Sequence, residues 1–340
     1  MTILIEENGL DIRTIDKEDE MHLLKWLTND EVLSYYEGRD NKYTIDKVRN
    51  DFLVDDNETR CLIYKENYPI GYIQFYRLNE VRGISLPANS YGMDQFIGEP
   101  KYWNKGIGTR VVNMVVNYII DQLKASLVVM DPKTSNTRAI TCYENVGFER
   151  KCVLSKNEFH EGEWRNCYLM VYDPCEYNIQ PTQEEHQVKL GNLFTTLWGS
   201  TEMIVSSGVY DISRLDGFIA YNESGDISGV ITYYFHESFL EIISLDSLVE
   251  NNGVGSRLLM EVEIAAFIGE LNEVSLLTTN DNLKALRFYQ RKGYRLTSIK
   301  SDAVNQARVQ KPEIPEVGYH QIPVHDELEL RKKLKVRATI

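Results

Sequence analysis

One phrase is written twice in this chain. Asn-x-x-Ala-x-x-x-Tyr-x-x-x-Gly, closed by an aromatic residue, runs from Asn136 to Phe148 and again from Asn282 to Tyr294. Upstream of each copy stands a Gly-x-Gly element, Gly106/Gly108 and Gly253/Gly255, at nearly the same distance. Each Gly-x-Gly opens an apolar helical run ("VVNMVVNYII", "LLMEVEIAAFIG"). A strand-like run follows ("SLVVMD", "VSLLTT"), and then the Asn…Tyr…Gly helix. A period this long marks two copies of one supersecondary plan, and 340 residues are ample for two domains. Both halves read as a strand, helices, antiparallel strands, then β-α-β-α-β. The first hairpin is expected to turn at Asn67–Pro69 and its counterpart around Ser224–Gly225. Asp173-Pro174 ends the apolar strand "CYLMVY" and Pro181 precedes the next helical pattern. The expected domains are therefore residues 1–175 and 176–340.

Several classes of function are excluded by composition. The net charge is −14 and both halves are acidic, which disfavours an extended nucleic-acid surface; it suits a cationic ligand, though plain solubility explains the charge more simply. No apolar run has the length of a membrane span. The acidic start "MTILIEENGLDIRTIDKEDE" lacks the marks of a secretory leader, so cytoplasmic residence is expected. The five cysteines form no C-x-x-C pair and the histidines no metal-ligating spacing, so reduced thiols and no metal are expected.

The motifs have a physical reading. A strand that ends in Gly-x-Gly and starts a helix leaves several N–H groups pointing one way, with glycines allowing close approach and positive φ. Such a turn can cradle a pyrophosphate or simply start a helix. Asn136 suits a helix N-cap and Gly147 a C-terminal stop. Ala139 and Tyr143 share a face. Capping and packing explain each residue alone. The exact return as Asn282, Ala285 and Tyr289 favours a ligand: the Asn contacts it, the Ala leaves room and the Tyr hydroxyl donates.

These residues resemble the GNAT N-acetyltransferases. The loops resemble the family's (Gln/Arg)-x-x-Gly-x-(Gly/Ala) signature, departing at its first position, which is Trp103 in one copy and Glu250 in the other. The resemblance implies two tandem GNAT domains of α+β class, each a mixed, mostly antiparallel sheet flanked by helices. It also implies acetyl-CoA as co-substrate. The first half is further similar to aminoglycoside 6′-N-acetyltransferases, through "LLKWLTNDEVLSYYEGRD", "PIGYIQFY", "YGMDQFIGEPKYWNKGIGTR", "DPKTSNTRAITCYENVGFER" and "FHEGEWRNCYLM". The resemblance implies that Asp94 is the active-site carboxylate and that Tyr143 lies near the CoA sulfur. It places Tyr35, Tyr36, Gln74, Asp94 and Asp131 along the substrate pocket. Gln95, Phe96 and Ile97 are implied along the pantetheine. Lys105, Gly106, Ile107, Gly108, Thr109 and Asn136 are implied around the rest of the cofactor. Gly253, Gly255, Asn282 and Tyr289 are the corresponding cofactor residues of the second half.

Acetyl transfer needs a neutral amine attacking a thioester, and an aminoglycoside is a polycation that needs carboxylates. Asp94 and Asp131 are the candidates, with Glu37, Asp40 and Glu99 as rim charges. Direct attack in a ternary complex is expected, because Cys142 has no base partner in view. In the second half Glu241 stands as far ahead of Gly253 as Asp94 does ahead of Gly106, and is the candidate carboxylate there. Thr232 and Leu277 replace Gln74 and Asp131. That half either acetylates a different amine or is a degenerate copy. The competing readings of the whole chain are an acetyltransferase for a polyamine, siderophore precursor or protein, and a CoA-binding sensor or scaffold. A homo-oligomer is compatible with the sequence.

Overall fold

The computed structural model describes residues 2–175, 177–249 and 252–336; Glu250 lies outside the described residues. The chain forms two compact units. One holds the chain up to Asn79 with Pro87–Cys175, and the other holds Glu80–Leu86 with the chain from residue 177 to Val336. The division is thus not the contiguous one drawn from the sequence. In the second unit the Ser85 N–H and hydroxyl both donate to the fully buried Glu263 carboxylate, which ties the segment there.

The first unit is built on an eight-stranded sheet. Its strands are β1 (Ile3–Glu7), β2 (Leu10–Thr14), β3 (Thr59–Lys65), β4 (Tyr68–Arg77), β7 (Ser90–Ile97), β8 (Leu127–Met130), β9 (Glu149–His160) and β10 (Glu163–Tyr172), in the order β1-β2-β3-β4-β7-β8-β10-β9. The short strands β5 (Glu80–Val81) and β6 (Ile84–Ser85) form the segment that joins the second unit. Helices α1 (Glu20–Trp26), α2 (Asp30–Leu33) and α3 (Ile45–Phe52) supply one apolar cluster, with Trp26, Leu33 and Phe52 against Leu62, Tyr72 and Phe96. Helix α4 (Ile107–Asp121) supplies the other, with Val111, Val112 and Val115 against Ile73, Phe75 and Met93. Alternate residues of β4 and β7 therefore face opposite layers. Helix α5 (Thr137–Glu144) follows β8. The β3–β4 hairpin turns at Glu66 and Asn67, both with positive φ (51° and 64°), earlier than the expected Asn67–Pro69. Two central residues with φ > 0 match the right-handed twist of the flanking strands, and Pro69 continues into β4.

The second unit repeats the plan with a seven-stranded sheet, β11 (Asn178–Pro181), β14 (Asp216–Tyr221), β15 (Ile227–Phe235), β16 (Leu240–Ser247), β17 (Glu273–Thr279), β19 (Glu327–Lys333) and β18 (Arg295–Lys300) in that order. A separate hairpin pairs β12 (Glu202–Val205) with β13 (Gly208–Asp211). Its helices are α6 (Gln187–Trp198), α7 (Val254–Ile268), α8 (Leu283–Arg291) and α9 (Ala303–Gln310). Each main sheet contains one parallel pair, β7 with β8 and β16 with β17; its other pairs are antiparallel. No helix among the described residues is long and apolar enough to cross a membrane.

Candidate active site

The first unit parts its sheet where β7 and β8 meet. They pair only over Ser90–Gly92 and Leu127–Val129, while β7 stays bonded to β4 as far as Ile97. The β8-facing edge of Gln95–Ile97 therefore has no strand partner, although the Ile97 carbonyl accepts from the Trp103 indole at 2.7 Å. A cavity of about 410 Å³ lies along this gap, lined by Gln95–Ile97, Gly106–Thr109, Asn136, Arg138 and Tyr143 among others.

Three observations fit this cavity to acetyl-CoA. Gly106 caps α4 at φ 70° with no side-chain cap bond, and a Cβ there would meet nothing within 4 Å, so the helix N-terminus opens into space. The Gln95 carboxamide oxygen is buried with no hydrogen-bond partner, an acceptor suited to a ligand amide N–H. Arg138, unforeseen from the sequence, lies 4.0 Å from the Trp103 ring and 4.3 Å from Tyr35. It brings a cation to the cradle whose signature position holds Trp103 instead of Gln or Arg. The sequence signal was that departure, with an Arg two residues past the conspicuous Asn136. Asn136 itself accepts from the Ala139 N–H at 3.2 Å, so capping and cavity lining coexist in one side chain. Lys105 is exposed, with its ammonium 5.9 Å from the Tyr102 ring, and is not among the residues lining the cavity.

On the α1–α3 side of the sheet, register places Gln74 directly opposite Asp94. The Tyr72 hydroxyl donates to Gln74 Oε1 at 2.7 Å, and Gln74 Nε2 donates to Asp94 Oδ2 at 2.9 Å. Tyr76, two residues along the same strand face, also bonds Asp94. The alternation Tyr72, Gln74, Tyr76 was the overlooked signal for it. Burial holds the Asp94 carboxyl above its ordinary range against these two bonds. Asp131 accepts from Asn157 Nδ2 at 2.8 Å. Although the residue is open to solvent, desolvation of its carboxyl and then the Asp94 charge push it up to about 7. Tyr36 packs on Phe96 with ring centroids 4.7 Å apart. Tyr143 is buried and its hydroxyl is held far above the usual phenol range, first by desolvation, then by Cys142 and Asp94. Cys142 accepts from Thr109 Oγ1 at 3.5 Å, and burial raises its thiol, so it is no ready nucleophile. Glu99 is not a rim charge. It is buried, accepting from the Trp26 indole at 3.1 Å and from Lys25. Glu37 and Asp40 are exposed.

The second unit repeats the backbone features of the first unit's cofactor side. Gly253 caps α7 at φ 75°, again with no side-chain cap bond. Asn282 caps α8 through the Ala285 N–H at 3.1 Å, Tyr289 is buried, and Gly255 stands beside Phe288. β16 pairs with β17 only over Leu240–Ile242 and then parts from it. The acceptor side differs from the expectation. Register sets Ser244, not Glu241, opposite Thr232, and Glu241 opposite Tyr234. Counting back from the glycines misplaced the match because the connection from β16 to α7 is shorter than that from β7 to α4.

The comparisons agree with this architecture. Residues 16–155 match the acetyltransferase (GNAT) domain and residues 188–294 the acetyltransferase (GNAT) family. The chain belongs to the GNAT family, with two such domains in tandem, and is an acetyl-CoA-dependent N-acetyltransferase. Its N-terminal half resembles aminoglycoside 6′-N-acetyltransferases. The uncharacterized protein YxbD of Bacillus subtilis (strain 168) is 45% identical over 158 residues, 46% of this chain and 99% of that protein. The aminoglycoside N(6′)-acetyltransferase type 1 of Klebsiella pneumoniae is 27% identical over 152 residues, 42% of this chain and 76% of that one. The solved structure of AAC(6′)-Ib with ribostamycin and coenzyme A aligns at a TM-score of 0.44 and 24% identity, covering 49% of this chain and 94% of that one.

Proposed function

We propose that the first unit is an aminoglycoside 6′-N-acetyltransferase acting by direct attack of the drug amine on acetyl-CoA. The reading places it in the cytoplasm, with antibiotic resistance as the outcome. The observation that carries it is the carboxylate pair Asp94 and Asp131 beside the parted strands, near enough that the Asp94 charge bears on the Asp131 carboxyl. Two carboxylates that repel when empty favour a ligand bringing several positive charges. The Klebsiella relative, named for that activity, supports the same choice.

Acetyl-CoA, when bound, supplies a thioester carbon that an amine can attack. The backbone edge of Gln95–Ile97 and the Gln95 oxygen would hold its pantetheine arm, and the α4 N-terminus with Arg138 its phosphates. Asp94 binds the ammonium, orients it through the Tyr72–Gln74 relay and takes its proton. Tyr143 stays protonated and offers a hydrogen bond to the leaving sulfur. The test is CoA-thiol release by the purified chain with kanamycin, spermidine or a peptide amine. Drug-dependent release lost in Asp94→Asn supports the reading. Release with spermidine or the peptide alone replaces it with another amine.

A further inference from the structure

The second unit resolves which of its carboxylates faces an acceptor. Both oxygens of Glu241 are occupied: Ser207 Oγ donates to Oε1 and His236 Nε2 bonds Oε2, each at 2.8 Å. Its side chain is almost wholly buried, so Glu241 pins the β12–β13 hairpin and the β15–β16 turn. Asp246 is different. It lies opposite Val230 on β16, beyond the point where β16 leaves β17, on the same sheet face as Thr232 and Ser244. Its Oδ1 accepts from the Trp198 indole at 3.1 Å and Ser244 also bonds the carboxyl, whereas Oδ2 is buried with no partner of its own. Its charge acts on the Tyr289 hydroxyl, as that of Asp94 acts on Tyr143. Burial also pushes its carboxyl up to about 6, closer to neutrality than an ordinary aspartate.

We infer that Asp246 is the acceptor carboxylate of a second acetyl-transfer site, displaced along the strand from the position Asp94 holds in the first unit. The inference rests on family membership, not on the aminoglycoside reading. Leu277 stands where the first unit has Asp131, and Ser244 where it has Asp94. One carboxylate beside a half-exposed indole suits an amine with a single charge on an apolar or aromatic body, not a polycation. The protonated amine donates to Asp246 Oδ2 and passes it one proton. The freed lone pair forms the C–N bond to the acetyl carbon, the C–S bond breaks with its electron pair on sulfur, and the excess amine proton goes to that sulfur. Tyr289 donates a hydrogen bond to the sulfur as it leaves.

The experiment uses the full chain carrying Asp94→Asn, which removes the first unit's carboxylate. CoA-thiol release is followed with phenethylamine, and phenethylamine binding is measured by calorimetry in the presence of CoA. We expect phenethylamine-dependent release in this background, a fall of about 10²–10⁴-fold on adding Asp246→Asn, and calorimetric binding weakened about tenfold or more. Adding Glu241→Gln instead should leave release within about threefold, with melting curves showing each variant folded. Absence of phenethylamine-dependent release, an effect of Asp246→Asn below threefold, or a folded Glu241→Gln chain with the larger loss would each overturn the assignment. Kanamycin turnover of the parent chain is read separately, so failure of the first site and failure of this one are distinguishable.

Discussion

Opposite Gln74 the first unit offers a carboxylate, Asp94; opposite Thr232 the second offers a hydroxyl, Ser244, bonded to Thr232 at 2.9 Å. Around that difference the cofactor sides are nearly superposable in their logic: a left-handed glycine before the long helix, an asparagine cap before the short one, a buried tyrosine, and two parted parallel strands. The lesson is that these backbone features are shared by the two copies, although the Arg257 guanidinium lies beside Gly253 where Gly106 faces open space. The features that select an amine sit on side chains of two strands and vary independently of the backbone plan.

The strongest way to break this comparison is Asp94→Asn, which should lower drug-dependent kcat/KM by about 10²–10⁴-fold in steady-state assays while acetyl-CoA binding persists. Loss of both would mean that the two sides are not separable.

The next largest effect concerns the cores. Glu263 is fully buried with Lys332 Nζ 3.2 Å away, whereas Lys133 of the first unit pairs with Glu158 at 3.0 Å, a partner with its side chain 37% exposed. Glu263→Gln leaves the Lys332 ammonium buried without its counter-charge. It should cost the second unit about 3–5 kcal/mol, seen in denaturant unfolding.

Smaller but diagnostic is the pH dependence. Asp131 keeps its proton up to about 7 when folded against about 3.9 in an unfolded chain. Raising pH through that interval therefore weakens folding and creates the charge a polycation needs. Drug kcat/KM should fall as pH drops below about 7, and Asp131→Asn should flatten that limb. Phenethylamine turnover, with Leu277 at the matching position, should lack the limb near 7 and fall only below about 6, where Asp246 takes up its proton. Arg138→Ala should raise KM for acetyl-CoA about tenfold with kcat little changed, in kanamycin assays. Smallest of all, Asn136→Ala and Asn282→Ala should each remove a cap contributing about 1 kcal/mol. Thermal melting would register both, and only the first would alter drug kinetics.

Much of this was legible in sequence because it depends on spacing along single elements. The glycines, the caps Asn136 and Asn282 and the tyrosines all fall where a strand-loop-helix pattern puts them, whereas Gln74 and Asp94, on two strands, came only from the family resemblance. What escaped depends on partners distant in sequence. Ser244 and Asp246 were hidden by a shortened connection together with a register shift between Thr232 and Tyr233, which moved the second carboxylate away from its counted position. Glu99 looked like a rim charge until Lys25 and Trp26 claimed it. The segment Glu80–Leu86 carries no sequence mark that its serine would meet Glu263. Arg138, marked in sequence only by Trp103 at the signature position, gains its place from Tyr35 and Trp103 packing around it.

Parting two strands in the middle of a sheet has a cost beyond catalysis. Each gap is an internal edge where a stretch of strand has lost its neighbouring strand, of the kind that elsewhere invites a foreign strand. A cofactor that lies in the gap takes that place, and by mass action it adds folding free energy in proportion to the logarithm of its concentration over its Kd. The lifetime of this protein in a cell should thus follow the acetyl-CoA supply, lengthening in well-fed cells and shortening under starvation.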